Sequence, residues 1–294
     1  MPKFLLCTDL DRTLLPNGPQ PESADARERF SAFIAQDNVT LAFVSGRDRK
    51  LVQQAITNYC LPEPDFVITD VGTSIYDLRN GKWTVWSQWH DEIAPDWNGQ
   101  NHNFLCDLLT DIDALRLQEH EKQNTYKLSY YAPLYIDRTE LDRRIQQLLD
   151  AHNINASLIW SVDEPAGVGL LDILPKRATK LHAVELLMSS LAFPLQQTLF
   201  AGDSGNDLAV PASRIPAVLV ANAMPDVKQA AVNAATDNRQ SDALYIAQGG
   251  YLGMNGNYSA GVLEGAAHFL PQVEQWLVQD DTRKNTSTPA SSRK

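Results

Sequence analysis

The chain has 294 residues, of which 44% are hydrophobic and 21% charged, which is typical of a globular protein with one large or two ordinary domains. Its formal net charge of −11 argues against nucleic acid or an anionic membrane surface as a partner. Three widely spaced cysteines without a CxxC pair favour reduced thiols. Because we also find no leader-like start and no membrane-length apolar run, we expect a cytoplasmic protein.

Strands and helices alternate in the first 81 residues. Apolar runs at 4–8, 39–44 and 65–69 predict buried strands. Apolar positions at helical spacing predict helices over 21–36 and 48–59. Near-continuous apolar strands separated by helices are typical of a parallel sheet that is covered on both faces.

The pattern changes after about Gly81. Residues 83–97 are aromatic and alternate more strongly, and they contain Trp83, Trp86, Trp89 and Trp97. The segments that follow are predicted as a helix at 103–110, a strand at 126–131, a helix at 139–152 and strands at 157–162 and 169–174. We therefore expect residues 82–175 to form a separate, smaller α+β unit.

The first pattern returns from Thr179. The predicted elements are a helix at 181–191, strands at 197–201 and 217–220, a helix at 226–235, a strand at 243–247 and a last helix through 262–269. Residues 1–81 and 176–279 would then form one doubly wound α/β core. Residues 280–294 are rich in Ser, Thr and Lys, and we expect them to be disordered.

Several predicted core strands end in polar residues that suit a phosphate and a cation. Asp9 and Asp11 follow the first strand, Ser45-Gly46 follows the second, and Asp203 to Asp207 follow a later one. In open parallel sheets, ligands bind outside the carboxyl ends of the strands, so these residues should converge. One carboxylate can act as a nucleophile and another as a general acid and base, while Mg²⁺ prefers oxygen ligands.

Taken singly, each of these features has an ordinary explanation. Asp9 and Asp11 could lie in a solvated turn, Ser45-Gly46-Arg47 in a plain strand-to-helix turn, and Lys180 at the solvated start of a helix. Their order and their matching positions at strand ends favour a joint phosphoryl-transfer site. Lys180 would then supply the positive charge that so many carboxylates require.

The four segments resemble the ordered motifs of haloacid-dehalogenase-type (HAD) phosphatases. They are Asp9-Leu10-Asp11-Arg12-Thr13, Ser45-Gly46-Arg47, Lys180 and Gly202-Asp203-Ser204-Gly205-Asn206-Asp207. The inserted unit resembles the large α/β cap (type C2) of that superfamily. Two positions depart mildly from the usual motifs, because Arg12 stands where glycine is frequent and Ser45 replaces the commoner threonine.

Within the superfamily the chain is most similar to the sucrose-6-phosphate phosphatases and to the phosphatase-like portions of sucrose-phosphate synthases. The segments that carry this similarity are 64–76, 126–131, 171–175 and 261–269. The resemblance implies Mg²⁺-dependent hydrolysis of sucrose 6F-phosphate to sucrose and phosphate, the last step of sucrose synthesis. It also implies a sugar phosphate as substrate and sucrose-phosphate synthase as a candidate partner.

The resemblance also implies roles for individual residues. Asp9 would be the nucleophile, forming an aspartyl-phosphate, and a Mg²⁺ ligand; Asp11 would be the general acid and base, with its backbone carbonyl on the metal. Ser45, Gly46 and Lys180 would bind phosphate. Asp203 would complete the metal ligands, with Asn206 and Asp207 supporting its loop.

Sugar recognition is assigned to the cap by the same resemblance. Lys127, Ser129 and Asp172 are the candidates, from their positions in the matching segments. The four tryptophans at 83–97 could stack on sugar rings, although filling the core of the cap is the favoured interpretation. Two alternatives stay open: a related phosphatase for glucosyl- or mannosyl-3-phosphoglycerate or glucosylglycerol phosphate, and a non-catalytic domain that binds a sugar phosphate or a synthase.

Overall fold

A computed structural model describes residues 3–274 and 276–277 of the chain. Its largest element is an eight-stranded sheet whose strands, numbered in chain order, lie in the order β12, β11, β10, β1, β2, β3, β4 and β5. Their bounds are Leu244–Ile246, Ala217–Leu219, Thr198–Gly202, Phe4–Thr8, Val39–Val44, Phe66–Thr69, Ser74–Asp77 and Thr84–Val85. The first six are parallel; β4 pairs antiparallel with β3, and β5 pairs antiparallel with β4.

Helices cover both faces of this sheet, because the parallel strands are apolar on both sides. On one face, Phe4 and Leu6 of β1 pack with the buried residues of α1 (Ala26–Ile34), α2 (Arg49–Tyr59) and α8 (Ser259–Phe269). On the other face, Leu5 and Cys7 pack with α3 (Ser87–Ile93) and α6 (Lys180–Ser190). Helix α7 (Pro225–Asp237) covers a smaller cluster beside β11. The predicted doubly wound α/β fold is confirmed.

A second, antiparallel sheet has the strand order β6, β7, β9, β8. These strands are Arg116–Leu117, Leu128–Ala132, Val168–Pro175 and Ala156–Asp163. Helices α4 (His102–Leu108) and α5 (Arg138–Ala151) share a buried apolar cluster with this sheet. Its core is separate from that of the large sheet, as expected for a smaller α+β unit.

The segment at residues 84–93 differs from the sequence expectation. It lies within the range predicted for the cap, yet β5 pairs with β4 in the large sheet. Trp89 and Ile93 of α3 are buried in the same cluster as Leu5 and Cys7 of β1. The extent of the cap is therefore a proposal, and we would start it after Ile93. The predicted disordered tail, 280–294, lies outside the described residues.

Among the described residues, no helix combines the length and the apolar character that crossing a membrane requires. Cys7, Cys60 and Cys106 are all free thiols. Cys7 lies within β1 and is fully buried, so burial raises the pKa of its thiol well above the ordinary value.

Candidate active site

The carboxyl ends of three adjacent parallel strands bring the predicted motif residues together. β1 lies between β10 and β2, with Thr8 opposite Ala201 on one side and Phe43 on the other. Asp9 directly follows β1, and its backbone N–H still donates to the Ala201 carbonyl at 2.9 Å. This pairing places Asp9 beside the loop that follows β10, as the sequence predicted for the carboxyl edge of a parallel sheet.

Lys180 is the first residue of α6 and lies at the centre of the acidic group. Its Nζ donates to Asp9 Oδ1 at 2.8 Å and to Asp207 Oδ1 at 2.7 Å, with Asn206 Oδ1 at 3.3 Å. The Thr179 hydroxyl caps the helix by accepting from the His182 N–H at 3.1 Å. The lysine side chain is only 4% exposed, so its ammonium is compensated by these partners and not by water.

Burial and mutual repulsion shift the pKa values of this group. Burial, partly opposed by Lys180, raises the pKa of Asp9 to about 7 from its ordinary 3.8. Burial and the neighbouring Asp207 raise the pKa of Asp203 to about 6. Burial alone would lower the pKa of Lys180, but Asp207 and Asp9 raise it above its usual range. A cation beside Asp9 and Asp203 would therefore relieve an existing electrostatic cost.

The loop after β10 is supported by the Asp207 side chain. Its Oδ2 accepts from the backbone N–H groups of Asp203 and Ser204 at 3.3 and 3.2 Å. Gly202 is needed here, because an added Cβ would lie 2.8 Å from Asp207 Cγ. A three-residue 3-10 turn, Gly205–Asp207, follows, and Ser204 and Asp207 form a capping box at its start.

The carboxylates of Asp9, Asp203 and Asp207 have oxygens that all lie within 4.8 Å of one another. Both Asp207 oxygens are already engaged, one by Lys180 and the other by the loop N–H groups. Thr13, to which the sequence analysis gave no role, lies between the other two, with its Oγ1 3.5 Å from Asp9 Oδ2 and 3.2 Å from Asp203 Oδ1. Hard oxygen donors in this number suit Mg²⁺, and Asp9 and Asp203 are the members best able to bind it.

Asp11 lies beside this group, and its carboxylate pairs with Arg47. Arg47 Nη2 and Nε donate to its two oxygens at 2.6 and 2.7 Å, and Asn17 Nδ2 donates to Oδ1 at 2.7 Å. Although burial opposes the shift, these contacts lower the pKa of Asp11 below its ordinary value. The roles of Arg47 and Asn17 could not be predicted from the sequence, because neither spacing nor polarity distinguishes them from ordinary turn residues.

A cavity of about 420 Å³ opens between these residues. It is lined by Asp9, Asp11, Arg12, Gly46, Arg47, Leu51, Asp203, Ser204 and Asn206. Ser45 is buried, and its Oγ accepts from the Arg47 backbone N–H at 3.2 Å. Asp9 and Asp11 therefore face one cavity, as the sequence predicted, although β1 itself ends at Thr8.

The three candidate sugar-binding residues also meet, but in the cap. Ser129 and Asp172 face each other across β7 and β9, with Ser129 Oγ donating to Asp172 Oδ1 at 2.5 Å. Lys127 Nζ lies 3.6 Å from the same oxygen. Lys127 and Asp172 line a cap cavity of about 180 Å³, which is distinct from the cavity at Asp9.

The favoured interpretation of the four tryptophans is correct only for Trp97. Trp97 is fully buried in the cap cluster, whereas Trp89 is buried in the core, where its Nε1 donates to the Gly72 carbonyl at 3.0 Å. Trp83 packs on Tyr76, and Trp86 packs on Phe66. Three of the four thus pack in the core of the large sheet, because β5 pairs with this sheet and α3 packs against it.

With this geometry in view, comparison with known proteins identifies the family. The profile of the sucrose-6F-phosphate phosphohydrolase family matches residues 2–270. The chain therefore belongs to this family of HAD-superfamily phosphatases, as the sequence motifs had suggested. Membership supports a phosphoric monoester hydrolase and leaves the particular substrate to be determined.

Individual relatives agree with this assignment. A putative HAD-like hydrolase from Nitrosococcus oceani is 54% identical over 94% of this chain and 74% of its own length. The mannosylfructose-phosphate phosphatase of Agrobacterium fabrum is 30% identical over 77% of this chain and 86% of its own. A solved structure of the Synechocystis sucrose-phosphatase, with sucrose and phosphate, has a TM-score of 0.68 at 28% identity and covers 92% of this chain and 98% of its own.

Proposed function

We propose that this protein is a Mg²⁺-dependent phosphatase that hydrolyses sucrose 6F-phosphate to sucrose and phosphate. The observation that carries the proposal is the contact of one buried lysine, Lys180, with Asp9 at the edge of a cavity lined by two arginines. A phosphate dianion would otherwise be repelled by the carboxylates, and these cations offset that repulsion. Family membership directs the choice of substrate.

The chemistry divides into two steps. In the first, Asp9 attacks phosphorus, the bond from phosphorus to the sugar oxygen breaks, and Asp11 gives that oxygen a proton. In the second, water attacks the aspartyl-phosphate, Asp11 takes the proton, and inorganic phosphate leaves. Gly46 and Ser45 would hold phosphoryl oxygens, and Lys180 would hold Asp9 in line with them.

Arg47 constrains how Asp11 can act. While the two are paired, Asp11 stays ionised, which suits the base that it must be in the second step. Donating a proton in the first step requires Asp11 to exchange Arg47 for the leaving oxygen and to take up a proton from solvent, which losing the arginine favours because it raises the pKa of Asp11. Asp9 and Asp203, with the Asp11 backbone carbonyl, would hold the metal ion, and when bound it would neutralise phosphoryl charge.

The sugar would contact the cap group of Lys127, Ser129 and Asp172. Ser129 and Lys127 both converge on one oxygen of Asp172, so the group presents a preformed donor and acceptor set. Such a set suits the hydroxyls of a sugar. Its separation from the Asp9 cavity fits a substrate whose sugar extends away from the phosphate.

Two related esters are the second candidates, because they appear in the names of two relatives. Mannosylfructose phosphate is suggested by the Agrobacterium phosphatase, which is 30% identical to this chain. Glucosylglycerol phosphate is suggested by a Pseudomonas anguilliseptica synthase, 26% identical over 90% of this chain but only 31% of its own length. The same match to a synthase supports the proposal that this protein binds a sucrose-phosphate synthase. Sedimentation of this protein together with a purified sucrose-phosphate synthase would test that proposal.

The deciding experiment is phosphate release from a panel of esters, with Mg²⁺ and with a chelator. The panel contains sucrose 6F-phosphate, mannosylfructose phosphate, glucosylglycerol phosphate, glucosyl-3-phosphoglycerate and glucose 6-phosphate. We expect Mg²⁺-dependent preference for the first, and preference for another ester would overturn the substrate assignment. The Asp9→Asn variant should lose turnover by about 10⁴-fold or more while staying folded. A folded wild-type protein that releases no phosphate from any ester would favour the binding-domain alternative.

A further inference from the structure

Two strained backbone positions lie next to each other beside the active site. Arg12, which directly follows Asp11, has φ 57°, and Tyr258, at the start of α8, has φ 52° and ψ −132°. Residues other than glycine seldom adopt these conformations, and they persist where the surrounding contacts fix them. The contacts that fix Arg12 and Tyr258 are therefore informative.

One buried amide holds both strained residues. Asn222, which follows β11 and is 3% exposed, donates from Nδ2 to the Arg12 carbonyl at 2.6 Å. Its Oδ1 accepts from the Tyr258 backbone N–H at 2.8 Å. One contact needs a donor and the other an acceptor, so an amide fits where a carboxylate would face the Arg12 carbonyl without a proton to give.

The segment between Asp11 and Gln20 is held at two further points. Asn17 accepts from the Arg12 N–H at 2.8 Å while its Nδ2 donates to Asp11 Oδ1 at 2.7 Å. The Tyr258 hydroxyl donates to the Gln20 carbonyl at 3.0 Å, and the ring is fully buried. The turn that carries Asp11 is thus fixed at its start, its middle and its end.

We propose that Asn222 is a positioning residue for Asp11, acting through the backbone of Arg12. The inference rests on the proposed function, in which Asp11 exchanges Arg47 for the leaving oxygen. That exchange can proceed by side-chain rotation alone only while the main chain at Asp11 and Arg12 stays in place. Asn222 does not itself line the cavity, so it contributes to proton transfer and not to substrate contact.

The test compares two leaving groups. A sugar alkoxide needs a proton to leave, whereas p-nitrophenolate is stable without one, so misplacing Asp11 should affect the two esters unequally. The constant kcat/KM reports the steps up to release of the alcohol. For Asn222→Ala and Asn222→Asp, we expect kcat/KM for the preferred sugar phosphate to fall by about 10²-fold and for p-nitrophenyl phosphate by less than about 10-fold.

Asn257→Ala is the matched control. Asn257 Nδ2 donates to the Pro21 carbonyl at 3.0 Å, so this variant loses one amide hydrogen bond to the segment after Gln20 and leaves the Arg12 contact intact. It should change kcat/KM for neither ester. Tyr258→Phe loses only the contact with Gln20 and provides a milder variant should Asn222→Ala not fold. It should also lower kcat/KM for the sugar phosphate more than kcat/KM for p-nitrophenyl phosphate.

Equal losses on both esters in a folded Asn222 variant, measured at saturating Mg²⁺, would overturn the inference, since they would indicate a general structural role. An unchanged kcat/KM on both esters would overturn it as well. Failure of the proposed function would look different, because the wild-type protein itself would then release no phosphate from either ester.

Discussion

At the scale of single residues, Lys180 determines how so many carboxylates can be buried together. Its ammonium contacts Asp9 and Asp207, and no other lysine or arginine among the described residues forms an ion pair with either of them. A buried charge that loses its partner is costly, by about 3–5 kcal/mol. The stability of the site should therefore depend on this one side chain.

Lys180→Gln should lower the free energy of unfolding by about 3 kcal/mol, because Asp9 and Asp207 would be left without compensation. Urea denaturation in the absence of Mg²⁺ measures this change. Lys176→Gln, four residues earlier and exposed, should change it by less than about 0.5 kcal/mol. Equal stability of the two variants would contradict the compensating role of Lys180.

The raised pKa values of Asp9, about 7, and Asp203, about 6, predict a pH-dependent metal affinity. Without metal, the folded protein binds these protons more tightly than the unfolded chain. The resulting stabilisation is full below about pH 4 and is lost as the pH rises through 6 to 7. Mg²⁺ prefers the ionised carboxylates, so it should bind more tightly as the pH rises.

We expect the increase in thermal unfolding midpoint on adding Mg²⁺ to be larger at pH 8 than at pH 5.5. Scanning calorimetry at both pH values, with and without the ion, measures this difference. Asp203→Asn should remove most of it, since one of the two titrating ligands is gone. An increase independent of pH would argue that Asp9 and Asp203 do not bind the ion.

At the scale of elements, the turn after β3 joins several parts of the site. Asp70, Val71 and Gly72 all have positive φ, at 54°, 60° and 96°. The Asp70 N–H donates to the Arg47 carbonyl at 2.9 Å, and Gly72 packs against the backbone at Thr179, just before Lys180. Asn124 of the cap donates to Thr73 Oγ1 at 2.8 Å. This turn therefore connects the Arg47 segment, the Lys180 helix and the cap.

Gly72→Ala should destabilise the protein by about 2–4 kcal/mol, from an unfavourable φ together with overlap. An added Cβ would lie 3.0 Å from the Thr179 carbonyl carbon and 3.3 Å from the Lys180 nitrogen. Gly81→Ala is the control, because Gly81 also has positive φ (68°) but has open space around its Cβ position. It should cost only about 1 kcal/mol. If chemical denaturation gave similar losses of stability for Gly72→Ala and Gly81→Ala, packing of Gly72 against the start of α6 would contribute nothing.

At the scale of the whole molecule, the two chain segments that connect core and cap are tied together. Arg177, just after β9, pairs with Glu92 and Asp96, at 3.1 Å in each case. Its backbone N–H also donates to Asp96 Oδ2 at 2.7 Å. Asp96 is only 7% exposed and the Arg177 side chain is 40% exposed, and these contacts of a single arginine should together restrict how the cap moves relative to the core.

Arg177→Gln should raise the KM for the sugar phosphate by roughly 3- to 10-fold, because a looser cap would present the proposed sugar-binding group of Lys127, Ser129 and Asp172 less accurately. Turnover of p-nitrophenyl phosphate, which needs no sugar contacts, should hardly change. Arg143→Gln removes an exposed pair with Glu140 within α5 and serves as the control. A rise in KM for both esters would place the effect at the phosphate site instead.

Local pattern was sufficient to predict much of the core. The apolar run 39–44 was predicted residue for residue, and Asp9, Lys180 and Asp203 could be assigned to one site. The reason is that buried parallel strands are continuously apolar, and their carboxyl ends meet at one edge. Strands β4 and β5 were missed because both are short, and β5, at the edge of the sheet, is exposed and lacks that signal.

By itself, the sequence determined the α/β fold, the family and the residue types of the site, since these follow from periodicity and motif order. Only the tertiary structure decided that Arg47 holds Asp11, that Thr13 lies between Asp9 and Asp203, and that Asn222 fixes Arg12. These contacts join residues 36, 190 and 210 positions apart in the chain. No local pattern encodes them, because they exist only once the sheet has brought its strand ends together.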